Sequence, residues 1–226
     1  FRLRWTASSW VLLSDIHLGP TVGRSQLQRI VTMVNQLEPD VVVIVGDLTD
    51  SQVTRLRTAA EPLALLRPRL GSYFATGNHE YYTADVDGWF EFLRSKGIEP
   101  LHNSHARVFR PGQTQDWICL AGIDDLEASI LVMGGVEKAL SGCSEETSIV
   151  LLVINLNAAK QALQQRPDIN LVLSHSCWSL FPLMLLAVPG ESVLSCGLYR
   201  ISEHTTIYVT PGTVYLAITQ ITLKSC

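Results

Sequence analysis

Thr76-Gly77-Asn78-His79-Glu80 is the stretch whose reading decides the fold. Tyr73, Phe74 and Ala75 run into it, and Tyr81 and Tyr82 follow. An amide, an imidazole and a carboxylate in succession make poor core and a poor helix interior. They suit the carboxyl end of a buried strand, where open α/β sheets place their ligands. Two earlier apolar runs end the same way, in Ser14-Asp15-Ile16-His17 and in Gly46-Asp47-Leu48-Thr49-Asp50. The three ends are read as one site.

Working outward, residues 10–14, 41–45 and 72–76 read as buried strands, because each is an apolar run stopped by turn residues. Between them Leu27, Ile30, Val31, Val34 and Leu37 recur at helical spacing. Residues 24–37, 53–66 and 85–96 are expected to be helices. This β-α-β-α-β order predicts a parallel sheet under helical cover. Further strands are expected at 117–121, 148–154, 169–173, 206–209 and 214–221, with a helix at 157–165 and a loop at 110–115. No repeat or linker divides the chain, so residues 1–226 are read as one domain.

Of 226 residues, 47% are hydrophobic and only 17% charged, below the roughly 25% usual for soluble domains. A large core is expected and disorder is not. A net charge of -4 without any Lys/Arg cluster gives no indication of nucleic-acid binding. The five cysteines, Cys119, Cys143, Cys177, Cys196 and Cys226, are scattered and odd in number. They read as free thiols in a reducing compartment. No apolar run reaches the length of a membrane span, so the chain as given reads as soluble, although it opens on Phe1 and an N-terminal region is expected to be missing.

Asp15 and His17, two apart at a strand end, can face one side and offer a carboxylate and an imidazole to a metal. Asp47 offers a second carboxylate able to bridge two ions, and Asn78 an amide oxygen. His79 is a candidate acid for a leaving group, and Glu80 is expected to orient it by accepting its other ring proton. His102, His105 and His204 read as surface turn residues. Residues 181–188 read as a buried apolar stretch.

The runs D-x-H, G-D-x-x-D and G-N-H-[DE], matched by Asp15/His17, Gly46/Asp47/Asp50 and Gly77/Asn78/His79/Glu80, resemble the calcineurin-like metallophosphoesterases. The resemblance runs from about residue 11 to 173 and again from about 197 to 215. It implies a four-layer α/β/β/α sandwich with mixed sheets and two divalent metal ions, manganese, zinc or iron. Asp15 and His17 would hold one ion, Asp47 would bridge, Asn78 would hold the other, and His79 would protonate the departing oxygen of a phosphate ester substrate, a monoester or a diester. The resemblance also implies association with a membrane through the missing N-terminal region.

Two family runs are altered. Where an Ala-His-Gln-Pro-like run is expected, the chain reads Val153-Ile154-Asn155-Leu156, so Ile154 stands at the histidine position. The Gly-His-Thr-His run is replaced by Ser174-His175-Ser176-Cys177-Trp178-Ser179, which leaves His175 as the one candidate ligand. A short shift of reading frame in the family's codons would give the first altered run, and another would come within one substitution of the second. The alternative expectation is therefore a catalytically impaired descendant serving as a binding or structural module.

Overall fold

The computed structural model describes residues 8–83, 85–109, 116–124, 135–144, 146–175, 196–213 and 218–223. The first half alternates strand and helix: β1 (Ser8–Leu13), α1 (Arg24–Gln36), β2 (Val41–Val45), α2 (Val53–Ala60), β3 (Gly71–Ala75), α3 (Asn78–Tyr82), α4 (Val86–Ser95) and β4 (Ile98–Pro100). The second half adds β5 (Ser104–Phe109), β6 (Trp117–Gly122), α5 (Gly135–Ala139), β7 (Ser148–Val153), α6 (Leu156–Gln165), β8 (Leu171–His175), β9 (Gly197–Arg200), β10 (Thr206–Thr210) and β11 (Thr219–Leu223).

The strands form two mixed sheets, ordered β11-β1-β2-β3-β4 and β5-β6-β7-β8-β10-β9. In the first, β1 to β4 run parallel and β11 closes the edge antiparallel to β1. In the second, β6, β7, β8 and β10 are parallel, and β5 and β9 are antiparallel edges.

Side-chain alternation sorts these strands into layers. Val41, Val43 and Val45 of β2 point into a core shared with Leu120 of β6, Leu152 of β7 and Leu173 of β8, so the two sheets pack face to face. Val42 and Ile44 point the other way, onto Leu27, Val31 and Val34 of α1 and onto Trp89 and Leu93 of α4. Likewise Leu151 and Val153 of β7 face Ala158, Ala159 and Ala162 of α6. The result is the expected α/β/β/α order. Strands covered on both faces need apolar residues at every position, which is why β2 reads as an unbroken run.

Several expectations change. The helix expected over 53–66 ends at Ala60 and continues as a 3₁₀ turn, Glu61–Leu65; Pro62 has no N–H to continue an α-helical ladder. The strand expected at 169–173 is Leu171–His175, so His175 is a strand residue and not part of a turn. The last strand is Thr219–Leu223, and residues 214–217 of its expected span lie outside the described residues, as do 176–179 and 181–188.

The free-thiol reading is overturned. Cys119 of β6 and Cys143, which follows α5, are joined by a disulfide, while Cys196 is free and exposed. Spacing along the chain does not show which cysteines meet; the α5 connection folding back over β6 does. His102 and His105 are not simple turn residues either. His102 Nδ1 lies 2.7 Å from the buried Asp124 carboxylate, and His105 lies in β5 with its Nδ1 2.8 Å from the Ala139 carbonyl oxygen.

The sheets approach closely at Gly122, the last residue of β6. A Cβ there would stand 2.6 Å from both the Cβ and the carbonyl oxygen of Leu101. Gly122→Ala is expected to destabilise the protein by about 1–3 kcal/mol, the usual cost of overpacking a core. A urea titration of wild type and variant checks it.

Candidate metal centre

The carboxyl ends of β1, β2, β3 and β8 meet at one place. Backbone bonds lock the first three together. Asp15 N–H donates to Gly46 O (3.3 Å), His17 N–H to Asp47 O (3.0 Å), and Gly46 N–H to Ala75 O (2.8 Å). Asp15, His17 and Asp47 all sit at positive φ, 51°, 49° and 51°. A non-glycine residue in this region is strained by about 1–2 kcal/mol, and such strain collects at functional sites. These turns aim side chains where relaxed ones would not.

On one side of Asp47 lie Asp15 and His175, one donor atom of each residue within 4.8 Å of the others. His175 is fully buried, with Nδ1 2.9 Å from Asp15 Oδ1 and Nε2 3.7 Å from Asp47 Oδ2. The other oxygen of Asp15 is buried and makes no hydrogen bond. On the other side, His17, Asp47 and His79 form a second three-donor group within 4.8 Å. Asp47 belongs to both. Asn78 opens α3 beside them, half-buried.

Asp50, which carried no assigned role in the sequence, organises the two outer imidazoles. Its Oδ1 lies 2.7 Å from His17 Nδ1 and 2.8 Å from His79 Nδ1, and the rings meet edge to face with centroids 4.5 Å apart. With both Nδ1 atoms on one carboxylate, each ring keeps Nε2 for other work, as metal-ligating or proton-carrying histidines usually do.

Glu80 therefore does not orient His79, contrary to expectation. Its fully buried carboxylate accepts four backbone N–H groups, from Asp47 (3.1 Å), Leu48 (2.8 Å), Thr49 (3.3 Å) and Gly77 (2.6 Å). Burial and the neighbouring Asp47 charge push its carboxyl up to about 7, against the pull of the amide donors. The second sheet braces the same strand end through Asp124. Its Oδ1 accepts the Thr76 hydroxyl (3.1 Å) and its Oδ2 the Asn103 amide (2.5 Å). A polar residue at the end of an apolar strand is the only sequence signal that marked Asp124.

Asp15, Asp47 and Glu80 crowd three acidic groups into a buried space with His175. Uncompensated carboxylates repel, and carboxylate and imidazole donors together suit a divalent transition ion. The orphaned Asp15 oxygen and the shared Asp47 fit such ions. One element runs against a full ligand set: the buried Ile154 side chain packs its Cδ1 between the backbones of Gly46 and Gly77, next to Asp47.

A family model described as calcineurin-like phosphoesterase matches residues 10–194. A protein of Danio rerio named "Transmembrane protein with metallophosphoesterase domain" is 71% identical over 214 residues, 92% of this chain and 49% of the relative. One of the same name from Bos taurus is 54% identical over 217 residues, again 92% and 49%. The chain thus spans about half the length of these curated relatives. The crystal structure of TT1561 of Thermus thermophilus covers 92% of this chain and 90% of its own, with a TM-score of 0.57 at 12% identity. At that identity the likeness is one of fold.

Glu80→Gln keeps the shape of the side chain but replaces an acceptor oxygen with an amide donor facing N–H groups. Each buried N–H left unpaired costs about 1–3 kcal/mol, so the variant is expected to lose at least that much stability. Chemical denaturation of the metal-free protein reads it without interference from ion binding.

Proposed function

Because the chain belongs to the calcineurin-like phosphoesterase family, we propose that it hydrolyses phosphomonoesters or phosphodiesters with divalent metal ions at the Asp47 centre. The observation that carries this reading is the pair of three-donor groups sharing Asp47. Asp15, Asp47 and His175 would hold one ion, and Asp47 with His17 and Asn78 would attract the other. Manganese, zinc and iron all suit such donors. Bound ions supply positive charge that draws in the phosphate oxygens and neutralises charge building at phosphorus.

The protein's own part is positioning and proton transfer. Asp50 fixes the ring of His79 by its Nδ1, and the His79 side chain is 37% exposed, so its Nε2 can reach a substrate from the open side. There it would protonate the departing ester oxygen, a contribution worth typically about 10²–10⁴-fold. Glu80 and Asp124 keep the strand ends in register while this happens. The two relatives named as transmembrane proteins support attachment to a membrane; among the described residues, no helix is long and apolar enough to cross one.

The test measures bound metal and hydrolysis of aryl phosphate mono- and diesters on the same manganese- and zinc-incubated samples. Asp47→Ala is expected to lose both bound metal and turnover. His79→Asn is expected to keep its metal and lose about 10²-fold or more in kcat. Unchanged turnover in either variant contradicts the reading.

One observation favours a second reading, an impaired descendant of the fold: hydrocarbon from Ile154 fills the space beside Asp47 where another nitrogen donor would have to stand. In that case wild-type turnover sits at buffer level, and Ile154→His raises metal affinity about 10-fold or more and restores hydrolysis. Isothermal titration with manganese, paired with the ester assay, separates the two readings.

A further inference from the structure

We infer that this domain folds and works in an oxidising compartment, on the lumenal or external side of a membrane. The inference rests on the Cys119–Cys143 bond; only its corollary, that the esters met there lie outside the cytosol, rests on the phosphoesterase reading.

Cys119 is fully buried in β6 and Cys143 is 6% exposed, and both belong to the core that packs α5 and α6 on the second sheet. Their Cα atoms stand 6.1 Å apart across a separation of 24 residues. The Cys143 backbone is held independently of the bond. Its N–H donates to Leu140 O (3.0 Å), and its carbonyl accepts from Arg166 Nη2 (3.2 Å). Arg166 is itself clamped by Asp168 at 2.8 and 2.6 Å. The two sulfurs are thus presented to each other by the fold, as in a structural disulfide.

What the bond secures is α5, five residues long and too short to be stable alone. Catalytic redox cysteines need an exposed, activated thiolate, and this pair is sealed in apolar core. His105 has a ring nitrogen within 4.8 Å of the sulfurs but commits Nδ1 to Ala139 O. Lasting structural disulfides belong to secreted, lumenal and periplasmic proteins and are rare where thiol reductants prevail. The bond forms by thiol–disulfide exchange with an oxidised disulfide-carrier protein. The two thiols give up two protons and two electrons, the S–S bond forms, and the carrier leaves as a dithiol.

The test uses the protein carrying this chain, expressed in cultured vertebrate cells that are acid-quenched, blocked with N-ethylmaleimide and mapped by peptide mass spectrometry. Nearly all Cys119 and Cys143 is expected in one cross-linked peptide that dithiothreitol releases, with Cys196 alkylated as the internal control. In sealed microsomes, whose interior corresponds to the lumenal and external side, the domain is expected to resist added protease until detergent is present. Alkylated Cys119 and Cys143 would overturn the inference, and so would a cross-linked domain digested without detergent. Free thiols accompanied by stoichiometric zinc that His105→Ala removes would replace it with a metal site. Cross-linking and protection without any ester hydrolysis would leave the inference standing and sink the phosphoesterase reading alone.

Discussion

The structure depends on one buried carboxylate. Glu80 gathers four backbone N–H groups from two loops, one after β2 and one after β3. Those N–H groups belong to buried turns too tight to bond among themselves. A carboxylate is the one short side chain with enough acceptor capacity for all four. Its burial is costly, as its raised pKa records, and the cost is offset by charge-assisted bonds. Without this anchor the positive-φ turn at Asp47 would relax, and Asp47 would cease to be common to two donor groups.

Around that anchor the fold works by division of labour. The core between the sheets sets how the strand ends approach one another, and the two outer cores set where the helices lie. The polar residues at the seam are few and multiply bonded: Asp50 holds two imidazoles, and Asp124 holds Thr76, Asn103 and His102. Networks of this kind pin a single geometry because each member is costly to leave unpaired. The site is therefore rigid before any ion or substrate arrives.

Much of this was legible in the sequence. The runs ending in Asp15, Asp47 and Asn78 announced both the parallel strands and the meeting of their ends, because period, length and stop signals coincide there. Less legible were features that depend on long-range meeting. Glu80 looked like the partner of its neighbour His79 but answers to amides more than thirty positions away. Asp50 looked like a turn residue and serves two rings. Cys119 and Cys143 carried no mark of pairing, and the edge strands β4, β5 and β9 lacked a buried run to betray them. Local pattern reports what a residue does to its own segment; it is silent on partners supplied by another sheet.

The closing of the first sheet has a temporal consequence. β1 finishes its pairing only with β11, Ser8 opposite Leu223, and the segment just before β11 also builds the site. Ser14 exchanges bonds with Thr213 (2.9 Å each way), and Gly212 passes against Asp15. β1 thus waits for a strand made roughly 10–40 s later at ordinary synthesis rates. Throughout that interval one edge of β1 stays open and the Asp15 turn lacks its lid. The Asp15 turn is in this sense completed late, only once the chain through β11 has been made.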